Sequence, residues 1–97
     1  MEVVFADATL ELIETVDAGA TRLPIAVIKS ARRKLTLLRA ATDDRSLRMW
    51  KSLHYEKLWG DREGQRSIRL NDQYRLVFLL SETTPLTITV LAIEDYH

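Results

Sequence analysis

The sequence predicts an α+β domain in which two N-terminal helices pack on one face of a small antiparallel sheet. Three observations carry this. Apolar residues recur every three to four positions through residues 24–41 and every second position from Tyr55 onward, so helix gives way to strand along the chain. An Asn71-Asp72 pair separates RSIRL from QYRLVFLL, and both residue types tolerate the positive φ of a tight hairpin turn. The length of 97 residues, 46% of them apolar, suits one core and therefore a single domain over residues 1–97.

The elements follow in order. MEVVF reads as a short edge strand, with Val3 and Phe5 alternating against Glu2 and Val4. Asp7 or Thr9 caps a first helix that buries Leu10, Ile13 and Val16 and ends before Gly19. Pro24 suits the first turn of a second helix, which presents Ile28, Ala31, Leu35 and Leu38 inward and Lys29, Arg32, Arg33 and Arg39 outward. Residues 42–53 connect, with Leu47, Met49 and Trp50 packing down on the core. Strands are expected at 55–59, 65–70, 73–80 and from 86 to about 93, separated by the Gly60–Gly64 and Asn71-Asp72 turns. The string is β-α-α-β-β-β-β. Two helices placed ahead of such a meander cover one face and leave the other open.

Composition excludes several chemistries. With no cysteine, disulfide scaffolds, Cys-ligated zinc, iron–sulfur clusters and thiol nucleophiles are out, and no metal or cofactor is expected. No apolar run approaches the ~20 residues of a membrane span, and the acidic start is unlike a signal peptide, so a cytoplasmic protein without membrane contact is expected. No Gly-rich phosphate loop, HExxH motif or nucleophile elbow occurs. The 14 bases and 14 acids balance, yet they are segregated: residues 1–28 carry −4, 29–51 carry +6, 52–79 carry +1 and 80–97 carry −3. The basic block reads either as a solvated helix face or as a local field that attracts a polyanion.

Alternation decides what the open face carries. In the 73–80 strand Tyr74, Leu76, Phe78 and Leu80 are assigned to the helices and Arg75, Val77 and Leu79 to the other side. In the 65–70 strand Ser67 and Arg69 point outward, so Arg69 and Arg75 flank the hairpin on the exposed side. His54 and His97 are the side chains whose ordinary pKa lies near neutrality. Asp95, Tyr96 and His97, at the end of the last strand, are expected to converge on the arginine face beside Lys57, Arg69 and Arg75. Such a set suits attack of a ribose 2′-hydroxyl on its own 3′-phosphate: a base takes the hydroxyl proton, cations neutralise the phosphorane, and an acid protonates the 5′-oxygen. Taken singly, each histidine reads more readily as an ordinary surface or rim residue, and Tyr96 and Trp59 read equally as core or edge aromatics; the conjunction points to the chemistry.

The run EKLWGDREGQRSIRLNDQYRLVF from Glu56 to Phe78, followed by Ile93-Glu94-Asp95-Tyr96-His97, resembles the HigB branch of the RelE/ParE toxin superfamily. Members of that branch have a KLKGDR-type strand and turn, a WSIRVN-type strand, a WRI-F strand and a terminal DYH. The resemblance covers residues 54–97 closely and the N-terminal helices in order and length. It implies a RelE/ParE-like fold and a type II toxin–antitoxin toxin: a ribosome-dependent endoribonuclease that cuts mRNA in the A site and is restrained by a HigA-like helix-turn-helix antitoxin. Asp95, Tyr96 and His97 match the terminal catalytic motif, Arg75 the arginine of the WRI strand, and Lys57 the first lysine of KLKGDR. Trp59 stands where the pattern has its second lysine. Where members place a catalytic histidine ahead of the turn, ungapped alignment on Gly60-Asp61-Arg62 gives Glu56, with His54 two residues earlier. Arg62, Arg66 and Arg69 are the expected substrate-binding cations.

Two other functions fit the same fold. One is a ParE-like gyrase poison, favoured by Trp59 and the zero net charge; the other is a degenerate toxin kept as an antitoxin-binding corepressor. Expected partners are the antitoxin, the ribosome and mRNA, with DNA reached only through the antitoxin complex. The antitoxin is expected over the basic helix or the arginine face.

Overall fold

A computed structural model of the chain describes residues 1–95. β1 (Glu2–Phe5) turns Val3 and Phe5 to the core. Asp7 leaves the strand in an extended conformation and its carboxylate accepts from the backbone N–H groups of Thr9 and Leu10, satisfying donors that the start of α1 (Ala8–Glu11) leaves open. The expected longer helix is cut short. A 3₁₀ turn over Leu12–Glu14 buries Ile13, and Val16 is 99% exposed because helical spacing no longer applies beyond that turn.

α2 (Ile25–Ala40) enters from Pro24 and buries Val27, Ile28, Ala31, Leu35 and Leu38 along one stripe. Its basic face is not wholly turned to solvent. Arg32 donates to the carbonyls of Ile13 and Thr15 at 2.7 and 2.9 Å, and Arg39 grips the Glu14 carboxylate through two bonds of 2.5 Å. The acidic start of the chain thus neutralises part of the +6 block. α3 (Asp44–Met49) is capped by Asp43, whose carboxylate accepts from the Ser46 N–H at 2.9 Å. Leu47 and Leu53 are fully buried, whereas Met49, expected in the core, is 72% exposed. It lies two residues past Leu47, about 200° around the helix.

β2 (Glu56–Lys57), β3 (Gln65–Arg69), β4 (Tyr74–Leu80) and β5 (Thr87–Asp95) complete a five-stranded sheet in the order β1-β5-β4-β3-β2. These four strands run antiparallel to one another, as expected. β1 pairs with β5 in parallel, so the sheet is mixed and not purely antiparallel. A parallel neighbour needs a crossover, and everything between β1 and β5 supplies it. β2 is two residues long because the chain turns at Trp59 into a 3₁₀ turn over Gly60–Arg62. Ile68, Leu76, Phe78, Ile88 and Val90 meet α2 and α3 on the covered face.

Candidate nucleic-acid interface

The uncovered face is set by register, since residues directly opposite in adjacent strands share a side. Glu56 faces Ser67, Ser67 faces Val77, Arg69 faces Arg75, and Arg75 faces Glu94. Arg69 and Arg75 therefore share this face, as alternation predicts. Arg75 pairs with Glu56 across the intervening β3, its side chain only 13% exposed. Beneath that bridge Ser67 is fully buried, and its hydroxyl has no hydrogen-bond partner among the described residues.

A second pair lies beside the first. Arg62 donates to Glu94 through both terminal guanidinium nitrogens, at 2.9 and 2.5 Å, and its Nε donates to the Gln65 side-chain oxygen at 3.2 Å. The hydrogen bond to Glu94 raises the Arg62 pKa further above its already high ordinary value. Arg69 donates to the Asn71 carbonyl at 3.2 Å and pairs with Asp72. Each of the three arginines thus faces a carboxylate of the same chain.

Other expected members are placed elsewhere. Lys57 is in register with Arg66, one residue out of phase with Glu56 and Ser67, so both side chains leave β2 and β3 on the side of α3 and not beside Arg75. There Tyr55 stacks on Phe78 with ring centroids 6.2 Å apart, and the Arg48 guanidinium sits 6.0 Å from the Tyr55 ring centre. Burial alone would raise the Asp44 carboxyl; the Tyr55 hydroxyl and the cations of Arg48, Arg66 and Lys57 together outweigh it and hold Asp44 below its ordinary value. Tyr55 is pushed up by burial and by Asp44, although the two fall short of normal hydrogen-bond geometry.

Alternation from Glu56 does not fix the side of His54. It is exposed, precedes β2, and adopts the left-handed conformation (φ 47°, ψ 48°), so the alternation of a strand does not reach it. Asp95 is opposite Tyr74, accepts from the Gln73 amide at 2.9 Å, and is on the helix side of the sheet by register. The cause is a bulge: β4 and β5 slip by one residue between Val77 and Phe78, which flips every later β5 side chain. Straight alternation from Ile88 and Val90 would send Asp95 to the arginine face. The slip sends Glu94 there instead. Tyr96 and His97 lie outside the described residues. Glu94 is the member that sequence reasoning missed: it stands next to the terminal motif, but only the bulge reveals its side, while Ser67, which alternation places on this face, is fully buried there.

Among the described residues no three His, Asp or Glu side chains are grouped to hold a metal, and no helix is long and apolar enough to cross a membrane. The groups present are guanidinium donors, carboxylate acceptors and a hydroxyl, an arrangement suited to binding phosphate and moving protons.

Comparison with known proteins extends this. Toxin HigB-1 of Vibrio cholerae serotype O1 (strain ATCC 39315 / El Tor Inaba N16961) is 36% identical over 78 residues, 80% of this chain and 82% of that protein. In fold, the chain is similar to YafQ of E. coli strain BL21(DE3) with a TM-score of 0.67 at 13% identity, covering 98% of this chain and 92% of that one. The YoeB/ParE toxin from Agrobacterium tumefaciens superposes with a TM-score of 0.63 at 15% identity over 100% of both chains. The toxin–antitoxin complex RelBE2 of Mycobacterium tuberculosis gives 0.56 at 17% identity, covering 97% of this chain and 95% of that one. The family described as RelE-like toxin of type II toxin-antitoxin system HigB matches residues 3–97. The chain, a mixed α+β fold with helices against a five-stranded sheet, belongs to the HigB-like toxins of the RelE/ParE superfamily.

Proposed function

We propose that this toxin is a ribosome-dependent endoribonuclease that cleaves mRNA through its own 2′-hydroxyl, restrained by a helix-turn-helix antitoxin of the HigA kind. The observation that carries the reading is the Glu56–Arg75 bridge on the uncovered face, at the start of β4, beside which β5 leads out through Glu94 and Asp95. Arg75 fixes the Glu56 carboxylate and supplies a positive charge within reach of the same phosphate. In the proposed step Glu56 takes the 2′-hydroxyl proton, the 2′-oxygen bonds to phosphorus, and the bond from phosphorus to the 5′-oxygen breaks. His97, with Tyr96 beside it in sequence, delivers the proton to that leaving oxygen; the products are a 2′,3′-cyclic phosphate and a 5′-hydroxyl. Arg62 and Arg69 steady the flanking phosphates. Glu56 is preferred to His54 as base because it shares the Arg75 face. Lys57 and Asp95, on the other side of the sheet by register, are left out of the reacting set.

The test is primer extension on ribosome-bound mRNA after induction of the native chain, Glu56→Gln and His97→Gln. The native chain cuts within the A-site codon; both variants lose cleavage and growth arrest while keeping the native melting temperature. Full toxicity of His97→Gln refutes the mechanism. The neutralised arginine face favours a second reading, poisoning of gyrase by surface contact, which predicts DNA damage with mRNA intact.

A further inference from the structure

Trp59 is 80% exposed although tryptophan is on average among the more deeply buried side chains. It is not on a loose loop. The Leu58 N–H donates to the Gln65 carbonyl at 2.9 Å, the Glu63 N–H to the Gly60 carbonyl at 3.1 Å, and the Arg62 guanidinium is fastened to Glu94 from inside. Gly60 and Gly64, at φ +71° and +91°, make the two left-handed corners that close this loop. The indole is thus displayed from a fixed support.

The surface around it is concave, about 310 Å³, and is lined by Trp59, Lys57, Leu58, Arg66 and Glu63 among others. Its cations differ from those of the arginine face. Arg62, Arg69 and Arg75 are each paired with a carboxylate, whereas Lys57 and Arg66, within electrostatic reach of Asp44, close no ion pair among the described residues. A flat aromatic surface flanked by two cations that close no ion pair among the described residues, with Glu63 the one acid in its lining, suits an unpaired base with its phosphates better than an apolar peptide, because every base offers a π-face and every nucleotide a negative charge. The position agrees. β2 is the outermost strand, with Glu56 on the arginine side and Lys57 on the other, so a strand crossing this edge passes from the proposed reacting groups to the indole.

We propose that Trp59, with Lys57 and Arg66, forms a stacking site for one unpaired base of single-stranded RNA next to the cleaved nucleotide. This rests on the ribonuclease reading above and adds a residue and a subsite to it.

The experiment measures binding of a short single-stranded oligoribonucleotide carrying 2-aminopurine, and of ribosomes holding a defined mRNA, to the native toxin, Trp59→Ala, Trp59→Phe, and the double variant Lys57→Gln, Arg66→Gln. Trp59→Ala weakens binding about 5- to 150-fold, the range for loss of one stacked base, while Trp59→Phe keeps most of the affinity. The double variant flattens the dependence of log affinity on log salt by about 1.4, from two lost phosphate contacts on a single strand. An unchanged melting temperature for Trp59→Ala assigns its loss to the surface and not to folding. If the native toxin binds and cuts RNA but Trp59→Ala matches it, the stacking site alone is refuted. Equal losses in Trp59→Ala and Trp59→Phe also refute it, as does a Trp59→Ala variant that loses only antitoxin binding. If the native toxin arrests growth yet binds no RNA, free or ribosomal, the ribonuclease reading falls and this site with it.

Discussion

Among the described residues two serines are buried, and their replacement by alanine should move stability in opposite directions. Ser30, 3% exposed on α2, donates its hydroxyl to the Leu70 carbonyl at 2.6 Å. Ser67, fully buried under the Glu56–Arg75 bridge, donates to nothing among the described residues. An unsatisfied buried hydroxyl costs about 1–3 kcal/mol. Removing its oxygen leaves a void of about 10–15 Å³, a penalty near 0.3 kcal/mol at the usual ~24 cal/mol per Å³. Ser67→Ala should therefore stabilise by about 1 kcal/mol or more, lifting the melting temperature by about 4–8 °C per kcal/mol in a domain of this size. Ser30→Ala should destabilise by about 1–2 kcal/mol, since the Leu70 carbonyl loses its donor. Urea titrations and thermal melts by circular dichroism on both variants give the comparison. Destabilisation of Ser67→Ala by as much as 1 kcal/mol, or shifts of the same sign in both, would falsify the assignment of Ser67 as unpartnered.

Glu94→Gln keeps the shape beside Arg62 and removes one charge. Both partners are more than a third exposed, so stability should change by less than about 1 kcal/mol. Affinity for a short RNA, read by fluorescence anisotropy, should rise about threefold, the effect of removing a negative charge ~6 Å from a phosphate in water; a fall in affinity would show that Glu94 assists binding. Leu47→Ala should lower the unfolding free energy by about 2–5 kcal/mol in urea, because Leu47 is fully buried between α3 and the sheet; a loss under 1 kcal/mol would contradict that packing. The Asp44 carboxyl titrates below its ordinary 3.8 in the folded chain, so its contribution is present above 3.8 and disappears as pH falls through the lower folded value. Urea midpoints of the native chain and Asp44→Asn should accordingly converge on acidification, and a gap that stays constant with pH would exclude the role.

The elements most visible in the sequence were those with a sustained period. The α2 stripe and the β3–β4 hairpin around Asn71-Asp72 span enough residues for helical or alternating spacing to identify both the element and its inward face. Short elements were not so readable. Val16 and Met49 are apolar at spacings that a longer helix would bury, but α1 ends at Glu11 and α3 spans only Asp44–Met49, so both side chains face outward. Direction was hidden as well: four residues of β1 fit equally well parallel or antiparallel, and the crossover decides. The site divided along the same line. Arg69 and Arg75 were found by counting in twos within continuous strands. Glu94, Asp95 and Lys57 were assigned to the wrong side or overlooked because one bulge and one strand-edge register decide their faces, and neither leaves a mark in residue type. His54 depended on strand geometry that its left-handed backbone breaks.

The pairing of Arg62, Arg69 and Arg75 with Glu94, Asp72 and Glu56 has a consequence for selectivity. A surface of unbalanced bases clings to any nucleic acid, since the counterions released from the polymer drive association wherever it lands. On a balanced surface each incoming phosphate must displace a resident carboxylate, so nonspecific attachment gains little. On the ribonuclease reading proposed above, productive engagement then requires a strand shaped to meet several guanidiniums together, which makes discrimination on this face a property of geometry.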